Sequence, residues 1–521
     1  MKFTRNEAFL SIQKSSEWDI TIIGGGATGL GIAVDAASRG YKTLVLERYD
    51  FAKGTSSKST KLVHGGVRYL ANGDVKLVFA ALKERGLIFQ NAPHVSFVQS
   101  FVIPSYSLFN KLKFLIGLKL YDWMAGKLRI GKSKTLSAKE VVEKLPKVKT
   151  KGLKGGIIYY DGQFDDARLA INLAQTASEH GATVLNYSEV NSILKDENGK
   201  VNGLTFLDKE RGETFTIKTK SIINATGIFV DDILKLDTAT HKNLVRPSQG
   251  AHIVVDKKFL GLNDALMIPE TSDGRVLFGV PWHDKVLLGT TDTPLDAHQI
   301  EPRPLEEEID FILKTAQQYL SDAPTKADVR SVFAGLRPLA APTKGDGNST
   351  KEISRDHKLL KNESNLITIT GGKWTTYRKM AEETVDLAIR TANLNPVPCK
   401  TQHLRIHGFS TDKRKGHWQV YGSDAEKIMQ LTQENPILGT KIHENYDFIL
   451  AEVVWACTHE MVVNLEDFMA RRIRFLLLDA KASLDAAPTV AKLMAEVLQQ
   501  DDSWVQKQLK DYTDLVKNYT L

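Results

Sequence analysis

Four cations, Arg68, Arg337, Arg355 and Lys373, are candidates for one anionic group, and Arg68, Arg337 and Lys373 are flanked mainly by glycine or apolar residues. Guanidinium forks take phosphate oxygens in pairs and an ammonium adds a point charge, so the four, if they converge, suit a dianionic phosphate. A second constellation is Gly24-Gly25-Gly26-Ala27-Thr28-Gly29, which fits GxGxxG through Gly24, Gly26 and Gly29. Glycine is needed there for a tight turn, for close approach of the backbone to a pyrophosphate, and for packing of helix on strand. The helix that follows presents free N–H groups and a positive dipole end to phosphates. Glu47, 18 residues after Gly29, can accept hydrogen bonds from both hydroxyls of a ribose. The two constellations describe a dinucleotide site and a phosphate site on one chain. Position alone does not choose between FAD and NAD.

Such groups need a frame. Residues 19–23 form a short apolar run rich in β-branched side chains, 30–38 read as a helix closed by Arg39-Gly40, and 43–46 read as a second strand. That is a βαβ unit. Asp165-Asp166 can cap a helix with Leu169, Leu173 and Ala174 on its apolar face, ended by Gly181 and followed by a strand at 183–185. Short strands flank a turn at Asn198-Gly199, and 221–227 read as a buried strand running into a glycine turn. Between 246 and 291 short strands recur at hairpin spacing (251–255, 276–280, 286–290), which predicts an antiparallel sheet inserted into an α/β frame. A strand at 366–370 leads through Gly371-Gly372 into a helix over 374–392. Beyond Pro396 and Pro398 the pattern is helical, with apolar stretches at 475–478 and 490–498.

Residues 54–70 read Gly-Thr-Ser-Ser-Lys-Ser-Thr-Lys-Leu-Val-His-Gly-Gly-Val-Arg-Tyr-Leu. This segment resembles the signature of FAD-dependent glycerol-3-phosphate dehydrogenases of the aerobic, quinone-linked type. Residues 161–168, Gly250-Ala251-His252, Gly335-Leu336-Arg337-Pro338, Ser354-Arg355-Asp356 and residues 371–378 are similar to the same family, and Asn224-Ala225-Thr226-Gly227 resembles the turn that approaches the dinucleotide in two-domain flavoproteins. The resemblance runs from about Asp19 into the helical C-terminal region. It implies an α/β two-domain flavoprotein: a Rossmann-like FAD domain, an inserted antiparallel-sheet substrate domain and a C-terminal helical domain. In these terms residues 1–395 form the oxidoreductase region. Its FAD-binding parts are about 17–90, 150–230 and 350–395, its substrate parts about 91–149 and 246–349, and 396–521 are the helical domain.

The implied reaction oxidises sn-glycerol 3-phosphate to dihydroxyacetone phosphate, with hydride passing to FAD and electrons onward to a membrane quinone. Flavin contacts are expected from Gly24, Gly26, Gly29, Glu47, Thr55, Ser56, Ser57, Lys61, Leu62, Gly65, Gly66, Gly227, Lys373, Thr375 and Thr376. Substrate contacts are expected from Arg68, Tyr69, Arg355 and Lys373. His252 is the candidate general base, because imidazole titrates near neutrality. Arg337 is the alternative partner of the same substrate oxygen, polarising or positioning it. His64 lies in the signature loop, but the resemblance gives no support for a covalent His–flavin link.

The net charge of +7 is mild and scattered, which suits anionic substrates or an anionic membrane and does not argue for nucleic acid. Two distant cysteines, Cys399 and Cys457, leave a disulfide framework, an iron–sulfur cluster and a zinc ribbon unsupported and fit a reducing compartment. No metal is expected, and there is no EF-hand loop. The N-terminus has no apolar signal core, and the longest charge-free stretch, 86–110, carries prolines and polar residues. Membrane attachment is therefore expected to be peripheral, on the cytoplasmic face. Residues 109–130 interleave basic and apolar residues, with Lys111, Lys119, Asp122 and Arg129 in one polar sector that Leu115, Leu118, Lys113 and Lys127 break; such a helix can lie in the lipid interface or be a buried core helix. An oxidase handing electrons to oxygen is the alternative, and homodimer formation by the helical region stays open.

Overall fold

The computed structural model describes residues 3–66, 74–241, 243–272, 274–340 and 357–521. Two sheets divide the work of the chain. In a six-stranded sheet the order is His357–Lys361, Ile367–Gly371, Ile222–Asn224, Ile20–Ile23, Thr43–Leu46, Thr183–Leu185. All neighbours are parallel except the first pair. Ile20–Ile23 and Thr43–Leu46 are buried along their whole length, as expected of a parallel sheet covered on both faces. Helix Ala27–Ser38 crosses between them and is itself packed by Asp166–Glu179 and Tyr377–Thr391. Asp165 caps the Asp166–Glu179 helix, accepting from the N–H of Arg168 at 3.0 Å.

The second, ten-stranded sheet is mainly antiparallel. Its long pair is Val245–Asp256 against Val329–Ala340, in a register that sets Ser248 opposite Arg337 and His252 opposite Phe333. Gly155–Phe164, which the sequence groups with the FAD-binding parts, pairs with Ser96–Ser105 in this sheet instead. Strand pairing there is long-range and leaves no local trace in the sequence.

The helical C-terminal region is knitted to the first βαβ unit by buried charge. Asp50 accepts from Arg471 at 2.6 Å and from Arg472 at 2.8 and 3.0 Å. Arg168 forks onto Glu460 at 2.6 and 2.8 Å, and Arg474 lies 2.8 Å from Asp165. Burial opposes ionisation of Asp50, but the two guanidiniums win and hold its pKa down at about 2.

The predicted interfacial helix forms over Leu108–Met124 and ends there; Arg129 lies beyond it. Its polar sector is not simply the solvent face that the wheel implies: Asp122 is buried, while Lys119 and Arg129 are exposed. Lys111 donates to the carbonyl of Leu136 at 2.8 Å, Lys119 to that of Ser133 at 2.5 Å, and Asp122 accepts from the N–H of Ser133 at 2.6 Å. Phe109, Leu112, Ile116, Leu120 and Trp123 form the outward stripe, Phe109 and Trp123 each 76% exposed. Apolar side chains thus lie on both faces, Leu118, Tyr121 and Met124 inward and the stripe outward, while Lys111, Lys119 and Asp122 are tied to the 133–136 segment. Among the described residues no helix is long and apolar enough to cross a membrane.

Candidate active site

The glycine turn opens a cleft of about 210 Å³ between Gly24–Thr28, Glu47, Thr55-Ser56, Ala225–Gly227 and Gly371–Trp374. At Gly29 a Cβ would run into the carbonyl oxygen of Gly24, so the helix can lie this close to the strand only without a side chain. Ser56 Oγ accepts from the N–H of Ala27 at 2.9 Å. Glu47 accepts from the N–H of Gly25 at 2.6 Å and of Tyr49 at 2.8 Å, which fixes the carboxylate at the cleft wall. The cleft thus offers a helix N-terminus, a close backbone approach and a placed carboxylate, a donor set that fits an FAD pyrophosphate and ribose.

A second cavity of about 260 Å³ adjoins the first and shares Thr55, Pro338 and Gly371–Trp374 with it. Its wall includes Lys58, Thr60, Leu62, His64, Gly250, His252, Arg337 and Thr375. His252 is buried against Phe333, ring centroids 5.0 Å apart at 18°, and its Nε2 lies 2.9 Å from the hydroxyl of Thr60. Burial first, and then the nearby cations Arg337 and Lys61, push its pKa well below 6.5, so the imidazole is neutral.

Arg337 is held by Gln249 O at 3.2 Å, Asp292 at 3.1 Å, Thr290 Oγ1 at 3.2 Å and Thr291 O at 3.0 Å. A Cβ at Gly250 would strike the guanidinium, and would lie 2.7 Å from Thr290 Oγ1. The cation is therefore clamped by strand backbone and a carboxylate, with its position set by the register of the long strand pair.

Of the residues expected from sequence, Thr55, Leu62, His252, Arg337, Lys373 and Thr375 line this substrate-sized cavity. Gly24, Gly26, Glu47, Thr55, Ser56, Gly227 and Lys373 line the cleft. Gly29, Ser57, Gly65 and Gly66 lie behind these walls, and the Thr376 hydroxyl is turned to the Lys373 carbonyl at 3.2 Å. Lys61 points away from both cavities. Its ammonium is buried on Ser57 O at 2.6 Å and on Asp166 at 2.8 and 2.9 Å. Arg68, Tyr69 and Arg355 lie outside the described residues.

Thr60 and Asp292 are given no role by the sequence, whereas Trp374 falls within the 373–376 segment expected at the flavin. Trp374 donates to Ser56 O at 2.8 Å and so ties the two glycine-rich segments together. The signal for Asp292 was the run Gly289-Thr290-Thr291-Asp292-Thr293, hydroxyls and a carboxylate at the end of a strand.

A family model described as FAD dependent oxidoreductase matches residues 19–387, and one described as the C-terminal domain of alpha-glycerophosphate oxidase matches 363–505. A mitochondrial glycerol-3-phosphate dehydrogenase of Arabidopsis thaliana is 37% identical over 99% of this chain and 88% of its own. The mitochondrial glycerol-3-phosphate dehydrogenase of Homo sapiens is 38% identical over 97% and 74%. The chain belongs to the FAD-dependent glycerol-3-phosphate dehydrogenase family. Its fold agrees with that of the glycerol-3-phosphate dehydrogenase of Bacillus halodurans complexed with FAD. The TM-score is 0.80 at 31% identity, over 99% of this chain and 97% of that one. FAD is accordingly the cofactor of this family member, and the cleft is where its residues fit one.

Proposed function

We propose that this protein oxidises sn-glycerol 3-phosphate to dihydroxyacetone phosphate and passes the electrons to a membrane quinone. The observation that carries the reading is the meeting of His252, Arg337 and Lys373 in one cavity that opens onto the dinucleotide cleft. FAD, when bound, supplies the two-electron acceptor for the hydride leaving C2. The chain's own work is to bind, orient and deprotonate. Arg337 cannot act as a base, since a guanidinium keeps its proton; clamped by four acceptors, it presents a fixed charge to a substrate oxygen. His252, neutral, takes the hydroxyl proton at Nε2, with Thr60 orienting the ring or relaying the proton. Lys373, on the shared wall, adds charge for the phosphate, where Arg68, Tyr69 and Arg355 are proposed to join it.

Peripheral attachment to a membrane, which we place on the cytoplasmic face by proposal alone, is supported by the outward stripe of the Leu108–Met124 helix. Beside it lie exposed Phe79 and the exposed cations Lys76, Lys113, Arg129 and Lys132. Apolar side chains ringed by cations suit an anionic lipid surface. A second reading, transfer to oxygen, is favoured only by the match of the C-terminal residues to the glycerophosphate oxidase domain.

The test is anaerobic mixing of the purified protein with glycerol 3-phosphate. Bleaching of the oxidised flavin band, absent with glycerol, is expected; a flavin that stays oxidised refutes the substrate assignment. Reoxidation by a quinone analogue but only slowly by oxygen distinguishes dehydrogenase from oxidase.

A further inference from the structure

On the inward face of the Leu108–Met124 helix, Tyr121 belongs to neither the apolar stripe nor the 133–136 anchor. Tyr121 is buried, and its hydroxyl accepts from the N–H of Gly65 at 2.7 Å while donating to Asp161 at 2.5 Å. Asp161 is held in turn by Arg85 at 2.9 Å, which also donates to the carbonyl of Leu128, just past the helix, at 3.3 Å. Gly65 has no room for a side chain: a Cβ would stand 2.6 Å from the Tyr121 oxygen and 2.7 Å from Leu82. One residue earlier, His64 lines the substrate cavity. Its N–H donates to Thr375 Oγ1 at 3.2 Å, and that hydroxyl reaches its carbonyl at 3.4 Å. The His64-Gly65 wall is thus pinned from two sides. One pin comes from the dinucleotide-binding half, the other from the helix whose opposite face is bare hydrocarbon.

We propose that Tyr121 is a positioning residue that ties the outward-facing apolar helix to the His64-Gly65 wall, so that seating the helix on an anionic lipid surface is felt at the substrate cavity. The inference rests on the membrane reading above. Hydrophobic burial of Phe109, Leu112, Ile116 and Trp123 restrains the helix from outside. Tyr121 is the polar link by which that restraint reaches the wall. Burial and the neighbouring Asp161 raise the phenol pKa well above 10, so the group stays a neutral donor and acceptor at any working pH.

The experiment uses FAD-loaded protein, with and without vesicles of phosphatidylcholine mixed with phosphatidylglycerol. Cosedimentation, the visible flavin spectrum and the anaerobic rate of flavin reduction by glycerol 3-phosphate are read together. The wild type is expected to bind vesicles and to reduce faster when bound. Tyr121→Phe should bind them equally, keep its FAD and lose the lipid response, with a limiting reduction rate lower by about tenfold at most and a smaller change in KM. A paired surface variant, Phe109→Asp with Trp123→Asp, should keep the lipid-free rate and lose both binding and response. A Tyr121→Phe protein that responds to lipid like the wild type overturns the proposal. So does a surface variant that no longer binds yet still responds. Wild-type protein that binds vesicles with no change in rate overturns the coupling and leaves the membrane reading standing. Failure to bind at all overturns both.

Discussion

Replacing Thr60 by valine keeps the shape of the side chain and removes a single hydroxyl. That hydroxyl lies 2.9 Å from His252 Nε2, and Nδ1 of the same ring has no hydrogen-bond partner among the described residues. What else orients the ring is its stack on Phe333, a contact that tolerates rotation in the ring plane. The perturbation therefore removes the one directional restraint on the candidate base. A neutral hydrogen bond contributes about 0.5–1.5 kcal/mol net, and about 1.4 kcal/mol is tenfold in rate, so the limiting rate of flavin reduction should fall roughly 2- to 12-fold. KM should change less, because on the proposed reading the phosphate is held by the cations and not by the ring. Rapid mixing under anaerobic conditions, following the oxidised flavin band across glycerol 3-phosphate concentrations, separates the two. Thr60→Ser should restore most of the rate. Wild-type reduction by Thr60→Val would refute the reasoning, and so would a loss that serine does not repair.

Further expectations concern charge and space. The acid limb of the reduction rate attributable to His252 should lie well below pH 6.5, since burial and cations depress its pKa; a limb at or above 6.5 would exclude it as the base. Gly250→Ala should cost activity far more than stability, because the added methyl strikes the Arg337 guanidinium; melting temperature and kcat measured together check this. Lys61→Met strands the buried Asp166 carboxylate and should cost about 3–5 kcal/mol in denaturant unfolding. His407, between Glu179 and Asp424, has its pKa raised to about 9 although burial opposes this. A raised pKa stabilises below the unfolded value near 6.5 and the gain is lost as pH rises toward 9, so unfolding free energy should fall across that window and flatten in His407→Gln.

The parallel frame was legible because its signals are local. A β-branched run, a glycine turn and a capping aspartate placed Ile20–Ile23, Thr43–Leu46 and Asp166–Glu179 within a few residues. The cavity wall was legible only through motifs, since nothing periodic says that residue 60 faces residue 252. Lys61 shows the limit: it sits in the middle of the signature, yet its backbone turns through φ +61° and sends the ammonium inward to Asp166. The Leu108–Met124 helix shows another. A helical wheel groups Lys111 with Asp122 but cannot tell that they pack on the 133–136 segment while Phe109, Ile116 and Trp123 stay outside.

The buried ionic seam between Asp50 and the last helices also dictates an order of events at birth. Asp50 leaves the ribosome 421 residues ahead of Arg471, and Arg168 leaves 292 residues ahead of Glu460. Until those late partners emerge, closing the early half would bury charges with nothing opposite them, a cost of several kcal/mol per ion. A chain that stops short of Glu460 lacks the partners of both Asp50 and Arg168 and is expected to leave that seam hydrated, which limited proteolysis of the truncated chain would check.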